Sequence, residues 1–160
     1  MQVLEDFVAI DPTSKSGLCW LARPYKTRHN AGDAAFASLD TNGYYRGRFN
    51  YKRHMAHQVV FYLTHGYFPR YIDHIDGDRT NNHPDNLREV TASQNQHNRK
   101  GRGYTFDRCN NRWKAQIRVA GVDHHLGMFT SEDDARRAYV EAKRKYHPTA
   151  PARCYEVTDG

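Results

Sequence analysis

Asp73 and His74 stand side by side in YIDHIDGDRTNNHPDNLREVTASQNQHNRK (residues 71–100), a stretch dense in carboxylates, carboxamides and imidazoles. A segment this polar ordinarily reads as a solvated loop. Ile72, Ile75, Leu87 and Val90, however, are spaced through it like anchors to a core. Asp73 offers a carboxylate oxygen and Asn95 a carboxamide oxygen, the hard ligands a divalent cation takes. Two such ligands leave positions for a phosphate oxygen, a leaving-group oxygen and water. An imidazole ordinarily titrates near neutrality, so His74 is a candidate general base, with Asn86 the candidate to hold its ring. The chemistry these types suggest is metal-dependent phosphodiester hydrolysis. Asp76, Asp78 and Asp85 read instead as turn formers and do not fit an EF-hand loop. Asn81 and Asn82 read as residues that tie the loop together, and His57 as a helix histidine bonded within its own fold.

To bring these groups together the chain must run strand, loop, strand, helix. Ile72 to Ile75 and the REV around Val90 are the extended pieces. Thr91 to Gln94 has the S/T-x-x-Q form of a capping box, so a helix is expected from Thr91, with Asn95, Asn98 and Arg99 on one side of it. Neighbours on a regular strand point to opposite faces, so Asp73 and His74 can share a site only at a strand end or irregularity. Upstream, GLCWL and GYYRGRF alternate like short strands, with Thr41–Gly43 as turn chemistry between them. Met55, Val59, Tyr62 and Leu63 are spaced like one face of a helix that Gly66 would stop. Residues 1–16 lack clear periodicity and are expected to form a poorly ordered or lightly packed lead-in.

Downstream, Lys100 to Gly103 reads as a basic joint. Trp113, Ala115, Ile117 and Val119 alternate with Lys114, Gln116 and Arg118, which predicts a strand with one buried and one basic face. HHLGMF predicts another strand. A helix capped by Ser131 follows, acidic in its first turn and basic in its last, with Ala135, Ala138, Tyr139, Ala142 and Tyr146 inward.

The 160 residues suffice for one domain or two small ones, with 38% apolar and 12% aromatic residues. The net charge is +6, and the segment from Arg99 to Arg118 alone holds seven cations against one acid, Asp107. A solvated face would mix the signs, so phosphate contact is favoured there. No apolar run approaches the ~20 residues of a membrane span, and no signal peptide opens the chain. Cys19, Cys109 and Cys154 are scattered, with no C-x-x-C pair, so no structural zinc is expected and the thiols read as reduced.

The segment IDHIDGDRTNNHPDNLREVTASQNQHN resembles the HNH endonuclease motif, in the phage and intron homing subgroup whose third motif letter is Asn. The likeness lies in D-H, N-N, N-L-R and Q-N-x-x-N, and GLCWLARP, AGDAAF, GYYRGRF and AHQVVFYLTHGYFP are similar to the lead-in such proteins carry. The resemblance implies Asp73 and Asn95 as metal ligands, His74 as base and Asn86 as its orienter, with 5′-phosphate and 3′-hydroxyl products. It also implies magnesium, with manganese tolerated, and a phage-encoded enzyme acting in the cytoplasm of a bacterial host.

Residues 102–147 are similar to the plant ethylene-response-factor DNA-binding domain. The matching pieces are Arg102-Gly103, W-x-A-x-I-R from Trp113, L-G-x-F from Leu126 and A-x-x-A-Y-x-x-A from Ala135. Arg102, Arg112, Lys114, Gln116 and Arg118 fall at or beside that family's contact positions. His125 stands where the plant domain often has tryptophan, and with the departures at Lys114 and Gln116 no base preference carries over. Arg99 and Lys100 join the expected DNA contacts.

The expected fold class is α+β: a ββα-metal unit followed by a three-stranded antiparallel sheet packed on one helix. The expected division is residues 1–16 as lead-in, 17–99 as nuclease domain, 100–147 as DNA-binding domain and 148–160 as tail. The expected function is a nicking or homing endonuclease on double-stranded DNA. It is expected to be a monomer, with a dimer left open. The rival is a catalytically inactive DNA-binding regulator on the same scaffold.

Overall fold

The computed structural model describes residues 3–24, 27–98 and 101–155 and divides the chain into two compact units, Met1–Val90 and Thr91–Gly160. The fold is α+β. In chain order two paired strands and a helix span residues 72–97, and a three-stranded antiparallel sheet packed against a helix comes after them.

The first unit is a set of small antiparallel sheets around one helix. β1 (Val8–Ile10) pairs with β2 (Leu18–Trp20), and β3 (Ser38–Leu39), β4 (Tyr45–Phe49) and β5 (Lys52–Met55) form a three-stranded sheet in that order. β5 runs directly into α1 (Ala56–His65), which buries Ala56, Val59, Val60 and Phe61. Gly66 stops α1 as its sequence position suggests. Its φ of 82° is a conformation that costs glycine little, and its N–H closes onto the Tyr62 carbonyl at 2.7 Å. The core joins α1 to Leu18, Trp20, Phe36, Phe49 and Leu87. The lead-in does not pack lightly. Leu4 and Val8 are buried in the same core, and the Tyr62 hydroxyl donates to Glu5. This region is irregular in sequence because it contributes single anchors from a 3-10 turn and a three-residue strand, too short to show a period. β6 (Ile72–His74) and β7 (Leu87–Glu89) form a two-stranded ribbon, with a 3-10 turn over Pro84–Asn86 leading into β7.

The second unit opens with α2 (Ala92–His97). Thr91 caps it with both halves of the capping box: its Oγ1 accepts from Gln94 N–H at 3.2 Å, and Gln94 Oε1 accepts from Thr91 N–H at 2.8 Å. β8 (Tyr104–Asp107), β9 (Arg112–Val119) and β10 (Val122–Phe129) then form an antiparallel sheet with β9 in the centre. Ala115 and Ile117 are buried, whereas Arg112, Gln116 and Arg118 are exposed, as the alternation requires. α3 (Glu132–Tyr146) packs on this sheet, capped by Ser131 accepting from Asp134 N–H at 3.1 Å. Its inner stripe differs from expectation at one end. Tyr146 is exposed and stacks on His124, while Lys143 is buried. Position 143 lies four residues after Tyr139 and so shares its face of the helix; only the residue type argued against burial.

Candidate nuclease-type site and nucleic-acid face

β6 is only three residues long, and His74 is its last. Beyond it the chain turns: Ile75 N–H bonds to the Asn86 carbonyl and Gly77 N–H to the His74 carbonyl, each at 2.9 Å. The strand end that the Asp73-His74 pair requires is therefore present, and both side chains are buried. Asp73 lies opposite Arg88 on β7, and its Oδ2 accepts from Arg88 Nε at 3.1 Å and Nη2 at 3.0 Å. A buried carboxylate is costly unless a hydrogen-bonded charge neutralises it, and the guanidinium does so here.

His74 Nε2 lies 3.1 Å from Asn82 Oδ1, and Asn82 Nδ2 donates to the Ser16 carbonyl at 2.9 Å. A carbonyl can only accept, so the Ser16 contact fixes which end of the Asn82 amide is nitrogen. The oxygen then faces His74, Nε2 must carry a proton, and in the neutral ring the basic lone pair is on Nδ1. Sequence position points to Asn86 for the ring and to Asn82 for the loop. In the structure Asn82 is on the ring. Asn86 braces the loop: its Oδ1 accepts from Asp76 N–H at 3.0 Å, and its Nδ2 donates to Asp76 Oδ1 at 2.9 Å and to the Asn81 carbonyl at 2.8 Å. Burial pushes the Asp76 carboxyl up, but the bonds from Asn86, Asn81 and the Asp78 N–H outweigh it and hold the group below the ordinary range.

Two further rings pack about His74. The His57 ring meets His74 edge-on at 5.3 Å between centroids, and Tyr44 lies 5.2 Å from His57 and 6.0 Å from His74. Arg79 covers the Tyr44 ring at 5.1 Å while its Nη1 donates to the Asn42 carbonyl. His57 is not bonded as expected of a structural helix histidine. Its Nδ1 is buried without a hydrogen-bond partner. Burial first, and then the neighbouring His74, push its imidazole down to about 4, with Asp40 opposing. Nothing in the sequence around residue 57 distinguishes this environment, because Tyr44 and His74 reach it from other elements.

The cation expectation is corrected. Among the described residues no group of three or more His, Cys, Asp or Glu side chains could hold a metal ion. Of the two oxygen donors assigned to it, the Asp73 carboxylate is already neutralised by Arg88. Asn95 is an exposed carboxamide on α2 in the second unit. One compensated carboxylate and one amide do not make the charged oxygen cage that magnesium or manganese takes.

In the second unit Arg112, Lys114, Gln116 and Arg118 occupy alternate positions of β9 and so share the sheet face away from α3. His125 on β10 is exposed and is the register partner of Gln116. Arg118 leans on Asp123 at 3.8 Å and donates from Nε to the Gly121 carbonyl at 3.2 Å. Arg102 pairs with Glu132 at 3.5 Å and lies over the Tyr104 ring. Arg99 and Lys100 lie outside the described residues. Among those described, no helix is long and apolar enough to cross a membrane.

No curated protein and no solved structure matches the chain. Residues 54–97, from the end of β5 through α1, the β6–β7 ribbon and α2, match the family model described as HNH endonuclease. The strand end carrying Asp73-His74 and the loop that braces it thus lie inside an HNH endonuclease-type domain spanning residues 54–97.

Proposed function

We propose that this chain is a duplex-DNA-binding protein built on an HNH endonuclease scaffold, with residues 100–147 as its docking module. The observation that carries the reading is the outer face of β9, where Arg112, Lys114 and Arg118 project from one sheet surface with Gln116 among them. Cations spaced at every second residue of a strand meet successive phosphates or base edges of a groove. The sheet-on-helix form of this unit agrees with its likeness to the plant DNA-binding domain. Within the HNH part, the Asp73–Arg88 pair, together with the lack of a metal-holding group among the described residues, favours a binding protein over a cutting one.

A second reading, hydrolysis of the phosphodiester backbone, has one specific observation in its favour. The Ser16–Asn82–His74 chain sets the ring tautomer, which places a basic lone pair on Nδ1 of a histidine inside the HNH motif. In that reading His74 is the base and Asn86 shapes the loop beside it.

Anisotropy titrations of a labelled duplex at several salt concentrations, run beside a supercoiled-plasmid nicking assay of wild type and His74→Ala, decide between them. The binding reading expects salt-sensitive affinity and no cleavage above that of His74→Ala. Nicking by wild type that is lost in His74→Ala would establish hydrolysis instead. Absence of duplex binding would sink both.

A further inference from the structure

The β4–β5 hairpin of the first unit carries a charge pattern that its fold does not need. Tyr45, Gly47 and Phe49 alternate toward the core: Phe49 is buried, and a Cβ on Gly47 would lie 2.8 Å from Phe36 Cα. Arg46 and Arg48 therefore face the other way, and Arg53 joins them from β5 as the direct register partner of Arg48. Like charges directly opposite on neighbouring strands repel. Among the described residues no ion pair involves Arg46, Arg48 or Arg53, although Asp40 lies within electrostatic reach of Arg46. These arginines, with Ser38 and Gly47, line a groove of about 280 Å³.

The hairpin tip adds an independent observation. Asn50 and Tyr51 form its two-residue turn with φ of 48° and 63°, the pattern of a type I′ turn. Such a turn favours glycine second; a bulky side chain there is strained. Yet Tyr51 is 88% exposed, so no burial in this chain offsets that strain. An aromatic held out at the tip of a ribbon, beside a face of arginines, is the pairing of features that nucleic acid rewards. β3 pairs with β4 only at Tyr45 and Arg46, so from Gly47 to the tip the hairpin is a two-stranded ribbon, narrow enough for the major groove of B-DNA.

We infer that the β4–β5 hairpin is a second DNA-contact element, with Arg46, Arg48 and Arg53 on backbone phosphates and Tyr51 against the groove. The inference rests on the reading that duplex DNA is the partner. It adds a contact in the first unit, where the charge concentration of residues 99–118 gave no reason to look.

The test uses the full chain and the salt-dependent duplex titration. The triple variant Arg46→Gln, Arg48→Gln, Arg53→Gln should bind more weakly. Its slope of log affinity against log salt should fall by about 2.7, at roughly 0.9 per phosphate contact. Tyr51→Gly should leave the melting midpoint unchanged or raised, because glycine suits the turn, while weakening binding several-fold. A triple variant with wild-type affinity and slope overturns the inference. So does a salt slope that changes only in Lys114→Ala, Arg118→Ala. Should the triple variant not fold, wild-type affinity in Tyr51→Gly overturns it alone. If the wild type shows no duplex binding, the underlying reading has failed and not merely this extension of it.

Discussion

Replacing His57 by phenylalanine should make the protein more resistant to acid. The His57 imidazole is pushed from its ordinary 6.5 down to about 4, by burial first and by His74 second. The unfolded chain therefore takes up this proton before the folded one does. The stability that depends on a neutral His57 is complete above about pH 6.5, declines as pH falls, and is fully lost only once pH has fallen below about 4. With one pKa unit worth about 1.36 kcal/mol, the loss is about 2 kcal/mol at about pH 5 and about 3 kcal/mol near pH 4. Phenylalanine keeps a ring against Tyr44 and His74, and it removes a buried nitrogen that has no hydrogen-bond partner. At neutral pH His57→Phe should thus be as stable as wild type or more so. Denaturant unfolding of both proteins from about pH 7 to about pH 4 is the assay. Burial also lowers His97 and His147, so both proteins will weaken in acid, and the difference between the curves isolates His57. Parallel curves would refute the reasoning: His57 would then titrate alike in the folded and unfolded states.

Removing the guanidinium over Asp73 with Arg88→Met should destabilise the first unit by up to about 3 kcal/mol in denaturant melts, with much of the loss recovered when Asp73→Asn is added. No recovery in the double variant would mean that the pair is not what holds the two strands in register. Gly103→Ala should destabilise the second unit by about 1–3 kcal/mol, because a Cβ there would lie 1.9 Å from the Tyr139 ring; an unchanged melting midpoint would show that the ring can yield.

Much of this was legible because the signals are local. The cap at Thr91, the stop at Gly66 and the alternation along β9 each depend on residues within a few positions, and each is found where the pattern puts it. What escaped depends on partners far apart in the chain. Lys143 shares a helix face with Tyr139 and Ala142, but its burial is set by the fold around it. The hairpin arginines are close in sequence, yet their repulsion exists only through the pairing of Arg48 with Arg53. The cation reading failed for a related reason. Spacing places oxygen-bearing residues near one another but does not say that Arg88, fifteen residues beyond Asp73, will take its carboxylate.

The state of His74 shows most clearly how an HNH motif can be intact as letters while its chemistry is decided elsewhere. The ring's proton is fixed by Asn82, and the orientation of the Asn82 amide is fixed by the carbonyl of Ser16, 66 residues earlier in the chain. Ser16 is itself fully buried, its hydroxyl donating to the Ala35 carbonyl. The segment that looked like a lead-in is therefore the support on which the histidine's tautomer rests. A change near Ser16 would act at a distance. If it let the Asn82 amide turn over, its NH2 would face Nε2, which must then become an acceptor, and the ring's proton would move to Nδ1. Any base chemistry at Nδ1 would be lost without touching a motif residue, while the DNA binding proposed for β9 would be unaffected. The two readings of this protein thus separate not only at His74 but at the turn that holds it.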